Sequence, residues 1–203
     1  MPQEHALTGF STVGKIGRVW FQLRSYSPLP FLFLLILLKP QFVPGISHVL
    51  LAGFGILGAE ALRLWAVGFA GSATRTRGDS VPQLVHAGPY RWVRNPLYLA
   101  NIIMYTCVGI LFGFSSFSIL IFLFSTVEYI FIVAFEEETL TRLFGSSYEN
   151  YCEKVPRWIP SLAPLIETSN HSFDFQRALR SERSTFLSLS GMGLLLIIKK
   201  VIG

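Results

Sequence analysis

The stretch H-A-G-P-Y-R-W-V-R-N-P-L-Y-L-A-N, His86 to Asn101, divides the chain. It lies between two long apolar segments and sets Gly88, Pro89 and Pro96 among Tyr90, Arg91, Trp92, Arg94 and Tyr98. Apolar packing alone does not require that mixture, and the stretch reads as the mouth of a ligand site at a membrane surface. Pro96 opens a helix, because Pro is favoured in a first turn, and Asn95 stands where an N-cap is expected. From there Tyr98, Asn101 and Tyr105 recur at i, i+3 and i+7, on one helical face, with Arg94 a turn earlier. That polar stripe either bonds neighbouring helices together or lines a pocket that enters the membrane.

The composition agrees with a membrane setting. Of 203 residues, 51% are hydrophobic and only 14% charged, against about 25% charged in a typical soluble domain. The mean hydropathy is +0.49. The net charge of +5 sits beside the apolar runs, as cytoplasmic loops of membrane proteins require, and gives no reason to expect nucleic acid as a partner. Cys107 and Cys152 supply neither a disulfide framework nor metal-ligand spacing. The N-terminus has no cleavable signal pattern, so internal helices are expected to direct insertion.

Read outward from the central stretch, the chain predicts an all-α, polytopic membrane helical bundle of about four to five transmembrane helices, with a cytosolic helix capping the site. An N-terminal interfacial segment occupies 1–24, with a helix around 16–23. A membrane core occupies 25–160, and a polar linker with a terminal apolar helix occupies 161–203. Residues 28–38 are strongly apolar but short for a span. Residues 43–70 are long enough. Their G-F-G-I-L-G run (Gly53–Gly58) has the spelling of a dinucleotide fingerprint, but it is embedded in a spanning helix without the strand that motif requires, so close packing of helices is the better reading. Glu60 and Arg63, at i and i+3, form either a mutually neutralised pair or the border of a polar pocket. Residues 96–112 and 117–135 make a helical hairpin about a turn at 113–116. Residues 186–198 are a short, tilted or interfacial terminal helix. The basic loops, 71–95 and 142–183, fall on one side, which the positive-inside rule makes cytosolic. Asn170-His-Ser, a glycosylation acceptor by spelling, lies on that side too.

A second stretch, Glu136 to Pro160, ends beside the first. Glu136, Glu137 and Glu138 stop the apolar run and read as the acidic N-terminus of a polar helix over 137–154. Tyr148, Tyr151 and Val155 share one face of it, and Pro156 terminates it. Glu138 reads as a solvated helix start. Glu128, inside the apolar run, is a functional candidate by default, and the alternative is a structural pairing with a residue such as Arg63. The sequence contains no phosphate loop, metalloprotease spacing or nucleophile elbow. What it offers is a cytosol-facing pocket with Arg, Tyr and carboxylate groups, open to lipid. That suits a zwitterionic or cationic cofactor meeting an apolar substrate.

The runs L-V-H-A-G-P-Y-R-W-V-R-N-P-L-Y-L-A and F-E-E-E-T-L-T-R-L-F-G-S-S-Y-E-N-Y-C-E-K-V-P-R-W-I-P, with A-L-R-L-W-A upstream, resemble the isoprenylcysteine carboxyl methyltransferase family, its bacterial relatives and the phospholipid methyltransferases. The resemblance spans residues 55–160. It implies an integral membrane methyltransferase using S-adenosylmethionine on a lipophilic acceptor that enters from the bilayer. Isoprenylcysteine-type carboxyl O-methylation is the first expectation. Phospholipid or small-molecule N-, O- or S-methylation is the alternative, and a non-catalytic membrane protein with a degenerate site is the rival of another class. The cofactor-binding residues implied are His86, Gly88, Tyr90, Arg94, Asn95, Pro96, Tyr98, Glu136, Glu137, Tyr148, Tyr151 and Arg157. Glu137, Glu128 and Arg157 are the catalytic candidates, and Arg63, Asn101 and Tyr105 the substrate-pocket candidates. No metal is expected. Asn95 stands where the family more often carries His, and residues 130–135 are apolar where the eukaryotic enzymes carry an Arg.

Arg94 or Arg157 suits a cofactor carboxylate through charge-assisted bonds. Glu137 suits ribose hydroxyls or an ammonium, and tyrosine faces attract a sulfonium by about 0.5–2 kcal/mol per contact.

Overall fold

The computed structural model describes residues 9–70, 83–167 and 172–202. Among these the regular elements are all helices. They are α1 (Thr12–Leu23), α2 (Leu29–Leu37), α3 (Ile46–Ala70), a 3-10 turn (Gly88–Arg91), α4 (Pro96–Leu111), α5 (Ser115–Phe144), α6 (Ser146–Lys154) and α7 (Phe175–Ile202). The loop cations Arg75 and Arg77, with Asp79 and the acceptor Asn170, lie outside the described residues.

Two helices, α3 and α5, are long and apolar enough to cross a membrane. α5 has 30 residues, about 45 Å at roughly 1.5 Å per residue. A hydrocarbon layer is about 30 Å thick, so α5 is long enough to cross one with a turn or more to spare at its charged Glu136–Arg142 end. Their outer faces stay apolar: Phe54 is 74% exposed and Leu51 and Leu57 are each 69% exposed. An exposed apolar surface of this kind fits lipid. α4, with 16 residues, is apolar but shorter, and α2 has only 9.

Packing follows small residues. Ala52, Ala59 and Ala66 recur every seven positions along α3 and are all buried, which lets α4 approach closely. Of the three glycines expected to do this, only Gly55 faces a neighbour, Cys107; a side chain at Gly53 or Gly58 would meet nothing within 4 Å. α1 lies along the far half of α5. An ideal Cβ on Gly17 would stand 1.9 Å from the Phe131 carbonyl oxygen. α1 and α2 together run beside α5, with Trp20 against Phe124 and Phe31 against Phe124 and Phe117. Residues 24–28 form the elbow between them. Hydroxyls within the apolar helices are satisfied locally: Ser125 Oγ donates to the Ile121 carbonyl at 2.7 Å, and Thr106 to that of Ile102 at 2.8 Å.

Three expectations are corrected. The acidic triplet is not a helix start, because α5 continues through it to Phe144; the break falls at Gly145, whose φ of +51° favours glycine. Charge alone does not end a helix, since its backbone bonds are unaffected by it. Glu138 is not a solvated start either: it accepts from the Ser11 backbone N–H at 3.0 Å and from its hydroxyl, closing the N-terminus of α1. The terminal apolar run 186–198 is the second half of one helix beginning at Phe175, so residues 175–185 are helix and not linker.

Candidate active site

The two stretches singled out in the sequence are tied together by the main chain. The Arg94 N–H donates to the Pro156 carbonyl at 2.9 Å, Ser161 to that of Trp92 at 3.0 Å, and Leu165 to that of Arg91 at 3.0 Å. Tyr151 donates its hydroxyl to the Tyr90 carbonyl at 2.8 Å. Behind this seam Tyr148, Tyr151 and Val155 form a buried cluster, and Gly88, at φ +58°, lets the 3-10 turn press on Phe69, where a Cβ would come within 2.3 Å.

Inside the seam lies a cavity of about 1140 Å3 bounded by α1, α2, α3, α4, α5, α6 and α7. It extends along α5 from Leu140 to Ile121 and along α7 from Ser181 to Leu195. One end is charged and aromatic, the other apolar.

At the charged end Glu137 is held between two arginines. Arg94 reaches it at 2.9 Å, and Arg157 grips both carboxylate oxygens, its Nε at 3.0 Å. Arg94 also donates to Cys152 Sγ at 2.9 Å, and its Nε is buried without a partner. Burial disfavours the charged guanidinium, but the carboxylate of Glu137, with Cys152 and Tyr148, more than offsets this, and the Arg94 pKa is raised. Tyr98 donates to Glu136 at 2.7 Å and stacks on Tyr129 with ring centroids 4.6 Å apart. Burial, the largest cause in each case, raises the pKa of Tyr90, Tyr148 and Tyr151, so these phenols stay protonated and act as donors and apolar faces.

Deeper in, Arg63 organises a second polar group. It bonds Glu182 through Nε at 3.1 Å and Nη2 at 2.7 Å, lies 3.7 Å from Glu60, and donates to Asn101 Oδ1. Asn101 in turn donates to Tyr129 at 3.0 Å. Arg63 lines the cavity and stands 3.7 Å from Glu60, but its hydrogen-bonded carboxylate partner is Glu182, so it is not simply half of a neutralised i, i+3 pair. It is not the partner of Glu128, which lines the cavity on α5, is 2% exposed and has one buried carboxylate oxygen, Oε1, without a partner.

Tyr90, Arg94, Asn95, Pro96, Tyr98, Asn101, Tyr105, Glu128, Glu136, Glu137, Tyr148 and Tyr151 line this cavity, as does Arg63. His86, Gly88 and Arg157 do not line it. Arg157 is half exposed, and its guanidinium meets the site through Glu137. Asn95 caps α4 with its backbone alone, because its side-chain amide donates to the Arg157 carbonyl at 3.1 Å. Sequence reasoning missed Glu182, Cys152, Tyr129 and the elbow residues Arg24 and Ser27. For Glu182 a signal existed: Ser181, Thr185 and Ser188 repeat at helical spacing with it and run into Leu189 and Met192.

The sequence model of the phospholipid methyltransferase family matches residues 47–147. This match spans nearly all of α3, the 3-10 turn, α4 and all of α5, and it ends before Tyr151 and Pro156, the second side of the seam. The resemblance read from the two motifs thus has independent support: about half of the chain matches a family of membrane-embedded methyltransferases. Among curated proteins the chain is similar to the nickel-cobalt-cadmium resistance protein NccN of Alcaligenes xylosoxydans xylosoxydans, 27% identical over 128 residues, which are 62% of this chain and 57% of that protein. The chain thus spans little more than half the length of this relative. No solved structure matches it.

Proposed function

We propose that this chain is a multi-pass integral membrane methyltransferase that uses S-adenosylmethionine, with its active site facing the cytosol, and that it methylates a lipophilic acceptor. The observation that carries this reading is the single cavity of about 1140 Å3, charged at one end and apolar at the other. A small-molecule pocket holds roughly 300–1,000 Å3, so this one has room for a polar donor and part of an acceptor together.

The charged end has the groups the donor requires. Arg94, with an unpartnered buried Nε, would hold the cofactor's carboxylate. Glu137 and Glu136 would accept from its ammonium or ribose hydroxyls. Tyr98, Tyr148 and Tyr151 would face its sulfonium. Arg157, gripping both oxygens of Glu137, keeps that carboxylate in place while Arg94 exchanges partners. The bound cofactor supplies an activated methyl group. The protein's part is to align the acceptor with it and to exclude water.

For the acceptor, the motifs support isoprenylcysteine-type carboxyl O-methylation, in which a carboxylate needs no base. A second reading, methylation of a phospholipid amine, is favoured by the family match and by Glu128, a cavity-lining carboxylate whose Oε1 has no hydrogen-bond partner and could take the amine's proton. Calorimetry on detergent-purified protein is expected to show S-adenosylhomocysteine binding, and its absence would sink the enzyme reading. A labelled-methyl assay with N-acetyl-S-farnesylcysteine and with phosphatidylethanolamine then separates the two acceptors. Label in the lipid alone removes the carboxyl reading.

A further inference from the structure

The C-terminal helix lies outside the family match, yet it forms one long wall of the cavity. Its inward face changes character along its length. Thr185 and Ser188 come first, at the level of Arg63 and Asn101. Met192 and Leu195 follow, packed on the apolar cluster of Leu35 and Val108. The buried bond of Glu182 to Arg63 holds the polar end of this face against α3. Lys199 holds the other end, donating to the Leu35 and Leu38 carbonyls of α2 at 2.5 and 2.6 Å. Across the cavity Glu128, nine-tenths buried and unpartnered at Oε1, marks a place where a ligand's donor group would be satisfied.

Between the polar and apolar parts stands Gly191. It lines the cavity, and a Cβ built on it would meet nothing within 4 Å. In a helix Gly costs about 1 kcal/mol relative to Ala, and no turn or close approach demands it here. We propose that α7 is the acceptor-binding wall and that Gly191 is a specificity-determining position, its missing side chain leaving room for an acyl or isoprenoid tail that runs from the Arg63–Thr185 level toward Leu195. The proposal rests on the methyltransferase reading for the word acceptor. The tail channel itself is defined by the cavity. The distance from Thr185 to Leu195 along the helix is about 15 Å at roughly 1.5 Å per residue, enough for a chain and not merely a head group.

Gly193 provides a matched control. It is also open, with nothing within 4 Å of an added Cβ, but it is not part of the cavity wall. The full chain in detergent is titrated with dansyl-undecanoic acid, an alkyl amphiphile whose emission rises on burial. Gly191→Phe is expected to weaken saturable binding about ten-fold or more, while Gly193→Phe, with the same change in helix propensity, stays within about two-fold of the parent. S-adenosylhomocysteine affinity is expected to be the same in all three proteins. Equal probe affinity in the two variants, or no saturable probe binding in the parent, overturns the proposal. Probe binding that responds to Gly191→Phe, in a protein that binds no S-adenosylhomocysteine, leaves the channel standing and removes the methyltransferase reading instead.

Discussion

Removing either partner of the Arg63–Glu182 pair should have unequal consequences. Glu182 is 2% exposed and the Arg63 side chain 16%, so the pair is largely dry. Breaking a buried ion pair typically costs about 3–5 kcal/mol, because the surviving charge is stranded. Here the two truncations strand different charges. Arg63→Ala leaves Glu60 and Glu182 buried together with no cation among their described partners, and both Glu60 oxygens already lack a hydrogen bond. The full cost of about 3–5 kcal/mol is expected. Glu182→Ala leaves Arg63 with Glu60 at 3.7 Å and with Asn101, a charge-balanced remainder. It loses two charge-assisted bonds, from Nε and Nη2, and about 2–3 kcal/mol is expected. The double variant strands only Glu60, so it should cost less than the sum of the singles by about 1–2 kcal/mol. Reversible unfolding in mixed detergent micelles measures all three. Glu182→Ala costing as much as Arg63→Ala, or strictly additive singles, would refute the buried triad as the anchor of α7.

At the charged end, Arg94→Ala should weaken S-adenosylhomocysteine binding about ten-fold or more, as loss of a charge-assisted bond implies. Arg157→Ala should change stability by less than about 1 kcal/mol, because its side chain is 47% exposed. Unchanged affinity on calorimetry of Arg94→Ala would remove it from the pocket. Gly17→Ala should destabilise by about 1–3 kcal/mol through overpacking against α5, since its Cβ would meet the Phe131 carbonyl at 1.9 Å. Gly53→Ala should be neutral or stabilising by up to about 1 kcal/mol, and thermal unfolding that ranks the two the other way contradicts the packing of α1. Tyr90, Tyr148 and Tyr151 have folded pKa values raised above the unfolded value of about 10. Their neutral forms therefore contribute stability that is whole below about pH 10 and is lost as pH rises above it. Ultraviolet titration should show part of the tyrosine signal delayed until the protein unfolds; all seven tyrosines ionising together near the ordinary value would contradict their burial.

The sequence by itself determined the helical class, the two long apolar helices, and the seam between His86–Asn101 and Glu136–Pro160. These follow from local chemistry: apolar runs need internally bonded backbone in lipid, Pro96 can only start a helix, and Pro156 can only end one. It also placed Tyr98, Asn101 and Tyr105 on one face, because helical periodicity is fixed by the backbone. Only the tertiary structure decided where charges find their partners. Glu138 looked solvated until α1 was laid across it, and Arg63 had Glu60 in sequence reach while its stronger partner, Glu182, arrives from a helix 119 positions away. Spacing reports neighbours along one helix. The partner across a cavity depends on which helices pack together, and for α1 and α7 that involves contacts such as Gly17 on Phe131, the buried Arg63–Glu182 pair and Lys199 on the α2 carbonyls, none of which has a period to be read.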